Sequence, residues 1–168
     1  MFRQPFSFAV ILSLAGAIPF LFLGALVLLD PLQSRAAIEV LVSYGAVILS
    51  FLGAVHWGFA LRESAHPVDG VPLSPARQGA ERDLLAFGVI PALIGWLALA
   101  VMLHFHLPAL ALFIELAGFF LTVVVETIGR GRGVVAGNYL VLRWAVSVIV
   151  LLVLAVVLGA VLAGVRVG

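Results

Sequence analysis

The chain has 168 residues, 64% hydrophobic and 10% charged, with a formal net charge of +1 and a mean hydropathy of +1.29. A soluble domain of that length needs far more polar surface to stay dispersed, so composition excludes a water-soluble globule and points to the bilayer as solvent. The near-neutral charge without a clustered basic patch argues against a nucleic-acid partner, and the absence of cysteine removes disulfides, thiolate metal sites and cysteine nucleophiles.

A hydrocarbon core of about 30 Å takes roughly 20 apolar residues per helix. Five runs meet that length, and the expected fold is all-α: a polytopic membrane protein, one bundle of five transmembrane helices over residues 1–168. The first helix is expected at Phe6–Leu29; Arg3 precedes it as in a secretory signal, but the run is too long and lacks an A-x-A exit, so it is retained. The second is expected at Ala36–Leu61. A solvated loop over Arg62–Asp83, rich in Pro, Gly and Ser, follows, with Ser74-Pro75 or Gly79-Ala80 near the entry to helix three at Leu84–Leu103. Helices four and five are expected at Pro108–Ile128 and Tyr139–Val165. Helices one and three both contain Gly-x-Ile-Pro, at Gly16–Pro19 and Gly88–Pro91, as a duplicated hairpin would.

Loop charge orients the bundle. One side carries Arg3, Arg62, Arg77, Arg82, Arg130 and Arg132, the other only Arg35 and Arg166, so the N-terminus and the 62–83 loop are expected in the cytoplasm, or the matrix of a mitochondrion, with the C-terminus opposite.

On helix two Ala46, Ser50, Ala54 and Gly58 recur every four residues with Gly53 on the same side, a ridge of small side chains suited to close helix packing. Trp57 projects from that side, toward the bundle or a partner. His56 lies on its flank, either as a neutral histidine bonded between helices or as a ligand or proton-carrying group. On helix four Glu115, Thr122 and Glu126 share a face within about 40° of arc, which must turn inward. Helix five carries Tyr139, Arg143 and Ser147 in one stripe. Glu126 and Arg143 arrive at similar depth on consecutive antiparallel helices, so a buried bidentate ion pair is expected.

Together these residues predict a cytoplasmic-side polar cluster of His56, Glu126, Tyr139 and Arg143 walled by Trp57 and Trp144. Such a cluster either locks helix register or lines a small cavity for a headgroup, a quinone ring or a carboxylate. Deeper from the opposite side, Glu115 is expected to hydrogen-bond Tyr44 or a backbone carbonyl as a protonated acid, or to couple protons or cations. His104 and His106 flank the turn before Pro108 and read as interfacial. No protease, phosphate-loop, esterase or c-haem motif is present, and His56 lies too far in depth from His104 for bis-histidine haem ligation.

The block YGAVILSFLGAVHWG from Tyr44 to Gly58, with GAIPF, GVIPALIGWLAL and NYLVLRW, resembles the domain of unknown function 3429 family. That resemblance spans nearly the whole chain and implies a five-helix protein of the bacterial inner membrane, or of the mitochondrial inner membrane in eukaryotes; it implies no reaction.

The sequence therefore reads as a non-enzymatic protein that acts by association, an accessory or assembly component of a larger membrane complex, with the lipid bilayer and a membrane-protein partner or a second copy of itself as partners. The second reading is a binding protein for a quinone, tetrapyrrole or lipid at the polar cluster. The third is proton- or ion-coupled transport through Glu115.

Overall fold

The computed structural model describes residues 5–65, 75–131 and 137–164. It contains five helices: α1 (Pro5–Leu29), α2 (Ser34–Ala65), α3 (Pro75–Phe105), α4 (Pro108–Gly131) and α5 (Gly137–Leu162). Each holds a stretch long and apolar enough to cross a bilayer: Val10–Leu29, Ser34–Gly58, Leu85–Phe105, Pro108–Ile128 and Leu142–Leu162.

Most of the loop expected over Arg62–Asp83 is helix, because α2 runs on to Ala65 and α3 begins at Pro75. With 32 residues, α2 is about 48 Å long, well beyond the hydrocarbon core. Arg62, Glu63, Arg77, Glu81 and Arg82 in these extensions are good helix formers in water. Pro75 opens α3, where a proline has no intrahelical N–H bond to lose. Helix five ends at Leu162, short of the expected Val165, where Gly164 adopts a φ of 81° and its N–H returns to Val161 O at 3.2 Å.

Two tight turns set the antiparallel order. Between α1 and α2, Asp30 Oδ1 accepts from Leu32 N (3.0 Å) and Gln33 N (3.3 Å), and Oδ2 from Gln33 Nε2 (2.9 Å), so one carboxylate caps the entry to α2. Between α3 and α4, His106 takes a φ of 53°, in the left-handed region unusual for a side-chain-bearing residue, and Pro108 starts the next helix.

Among the described residues the helices form a closed ring, α1 to α2 to α3 to α4 to α5 and back to α1, with α2 also touching α4 across it. Phe20 of α1 reaches inward to meet Phe119 of α4 edge-on at 5.7 Å and Tyr44 of α2 at 5.1 Å. Ile38, Leu41, Leu49, Leu112 and Leu154 complete the buried centre. Lipid is as apolar as these side chains, so close van der Waals contact rather than water exclusion holds the helices together.

The tightest approach is between α2 and α3. A Cβ built on Gly53 would collide with Gly88 O, and one on Gly95 would lie 2.9 Å from Ala46 Cα. The contact line on α2 is therefore Ala46, Gly53 and Trp57. Ser50, Ala54 and Gly58, expected in the same ridge, are exposed. The cause is geometric: residues four apart advance 400°, so each step drifts 40° around the helix, whereas Ala46 and Gly53 differ by only 20°.

Candidate functional site

Both Gly-x-Ile-Pro segments meet α2. In α1, Pro19 supplies no N–H to the turn above it, and Tyr44 OH donates to the neighbouring Gly16 O at 2.9 Å. In α3, Gly88, three residues before Pro91, lies against Gly53 and under the Trp57 indole, whose Nε1 donates to Leu85 O at 2.9 Å. The duplicated motif thus presents backbone oxygen to both flanks of one central helix.

Tyr44 is consequently committed to α1, and the expected hydrogen bond from Glu115 to Tyr44 or a backbone carbonyl is not made among the described residues. Glu115 is 0% exposed and lies about 10 Å along the axis from Pro108 at the start of α4. Its carboxyl abuts the bare Cα of Gly45, where a Cβ would collide with both oxygens. Among the described residues neither oxygen has a hydrogen-bond partner. An unpaired carboxylate in hydrocarbon costs at least about 3 kcal/mol, and a neutral acid still has a hydroxyl to place. Glycine at position 45 is the signal that sequence reading missed: it stands beside Tyr44, already at the depth of the acid.

The other polar residues gather near the opposite membrane surface. Arg143 Nε donates to Glu126 Oε2 at 2.8 Å, with side chains 10% and 3% exposed, so α4 and α5 are joined by a buried ion pair. Among the described residues the pair rests on this one hydrogen bond rather than the expected bidentate fork, and Arg143 Nη2 is buried with no partner. Ser147, one turn deeper on α5, is 2% exposed with its Oγ unpartnered. Thr122, one turn deeper than Glu126 on α4, returns its hydroxyl to Gly118 O at 2.8 Å.

His56, Trp57 and Trp144 do not close around this pair. The His56 ring is buried but bonds its own helix, Nδ1 to Leu52 O at 3.0 Å, and stands edge-on to Phe87 of α3 at 5.0 Å. Trp57 and Trp144 are 45% and 48% exposed. Trp57 lies about one turn before Arg62, and Trp144 about two turns into α5, toward the helix ends where an indole is favoured at the headgroup boundary rather than as a cavity wall. Tyr139 is in the first turn of α5, and its side chain lies outside the described residues. His104 and His106 are exposed at the far turn, and among the described residues no cluster of three or more His, Cys, Asp or Glu could hold a metal.

An apolar groove of about 260 Å³ lies on another part of the surface, between Leu21, Gly24, Ala25 and Leu28 of α1 and Leu152, Val153 and Val156 of α5.

Five apolar spanning helices in a ring, enclosing a mid-membrane acid and one ion pair, define a polytopic helical membrane protein. The chain belongs to the family described as Protein of unknown function (DUF3429), which matches residues 6–159. It is similar to Transmembrane protein 69 of Xenopus tropicalis, 40% identical over 91 residues, or 54% of this chain and 32% of that protein. The match thus spans about a third of that relative's length. No solved structure matches the chain.

Proposed function

We propose that this protein acts by association, as a non-enzymatic accessory or assembly component of a larger complex in a bacterial inner membrane or, in a eukaryote, the mitochondrial inner membrane. The observation that carries this reading is Trp96. It lies near the middle of the Leu85–Phe105 span, is 66% exposed, and its indole N–H has no partner among the described residues. Tryptophan favours membrane surfaces, where its N–H is wet; at mid-membrane an unpaired N–H costs about 1–3 kcal/mol, which an acceptor on a neighbouring chain removes. The uncovered Ser50, Ala54 and Gly58 offer a second place where another helix can come close. The arginine bias puts the N-terminus on the cytoplasmic or matrix side.

A photo-crosslinking residue at position 96, activated in the native membrane before mild extraction, is expected to yield an adduct of protein size. Adducts with lipid alone, from a monodisperse single chain, would overturn the reading.

A second reading, a binding protein for a membrane-soluble small molecule, is favoured by one observation: Arg143 Nη2 and Ser147 Oγ are buried donors without acceptors.

A further inference from the structure

Hydroxyls in these helices have an easy solution, which is to bond the carbonyl four residues back. Ser43 bonds Glu39 O at 2.7 Å, Ser50 bonds Ala46 O at 2.8 Å, and Thr122 and Thr127 do the same on α4. Ser147 does not, although it is nearly inaccessible. On the same face one turn nearer the surface, Arg143 gives Nε to Glu126 and leaves Nη2 unused. Two buried donors on adjacent turns are thus unmatched beside an ion pair whose charges already balance. A buried donor left unmade costs about 1–3 kcal/mol.

We propose that the α4–α5 seam at Arg143 and Ser147 is a binding site for a carbonyl oxygen of a membrane-soluble molecule, either the ester carbonyl of a glycerolipid or the ring carbonyl of a quinone. This rests on the second reading above and names its ligand chemistry. The site supplies donors and needs acceptors. Because Glu126 neutralises Arg143, a neutral carbonyl suits it better than an anionic phosphate, which would leave one buried negative charge in excess. Depth agrees: Arg143 lies about 9 Å into α5, which starts at Gly137, and Ser147 lies one turn further in, below the headgroup charges and toward the level where ester carbonyls meet hydrocarbon. Arg143 keeps a tenth of its side chain exposed, while Nη2 and Ser147 Oγ are themselves covered, so a ligand reaches the two donors by parting the seam around them.

The test uses the full chain in nanodiscs of diester phosphatidylcholine, of its diether analogue, which has the same headgroup and chains but no carbonyl, and of the diether lipid with added ubiquinone. Bound molecules are counted by native mass spectrometry for the wild type, Ser147→Ala and Arg143→Lys. An ester-lipid or ubiquinone adduct that the diether lipid does not replace, weakened roughly tenfold in Ser147→Ala as expected for one lost hydrogen bond to a buried group, supports the site and tells its two sources apart. Equal retention of diester and diether lipid, lost in both variants, overturns the carbonyl assignment while keeping a ligand at the seam. No adduct in any arm, with Ser147→Ala as stable as the wild type, overturns both the assignment and the reading beneath it. Ser147→Ala removes one hydroxyl and leaves the Glu126–Arg143 bond in place, so it remains informative if Arg143→Lys fails to fold.

Discussion

At the scale of the residue, one close contact sets a glycine against an acid. Gly45 has no side chain because the Glu115 carboxyl occupies that space, so Gly45→Ala forces either the carboxyl or α2 to move. Overpacking of this kind costs about 1–3 kcal/mol. The expected result is a lowered unfolding midpoint in detergent for Gly45→Ala, with most of the loss removed in a Glu115→Ala background. Equal cost in both backgrounds would show that the glycine answers to some other constraint.

At the scale of the element, α2 and α3 are held together by backbone approach. The relevant glycines can be separated from their neighbours by a paired comparison on one helix. Gly53→Ala places a methyl on Gly88 O and is expected to destabilise by about 1–3 kcal/mol. Gly58→Ala has open space around the added methyl and should be neutral or gain up to about 1 kcal/mol from helix propensity. Thermal unfolding of the two variants checks this, and matching losses would place Gly58 in a packed seam after all. The same comparison explains a limit of reading by spacing: a four-residue repeat marks a stripe that leaves the interface within two turns, while a seven-residue repeat keeps to it.

At the scale of the molecule, two short turns and a closed ring make the helices alternate in direction. In the proposed orientation the turns at residues 31–33 and 106–107 lie on the side away from the cytoplasm or matrix. The chain has no cysteine, so single-cysteine labelling has no background. Leu32→Cys is expected to react with a membrane-impermeant maleimide in intact cells or mitoplasts, and Arg132→Cys only after permeabilisation. The reverse pattern would overturn the orientation.

The sequence by itself determined the solvent, the number of spans, the family and the depth at which each polar residue lies, because all of these follow from local hydropathy and a fixed rise per residue. Depth was enough to bring Glu126 and Arg143 to one level, and they meet. Only the tertiary structure decided rotation and partner choice: Trp57 packs on α3 and bonds Leu85 O, Trp144 is half exposed, Tyr44 bonds Gly16 O instead of Glu115, and His56 bonds its own helix. Level neighbours on different helices can face any direction around the axis, and that angle is set by which backbones can touch. Here Gly53 against Gly88, and Gly45 against Glu115, set it.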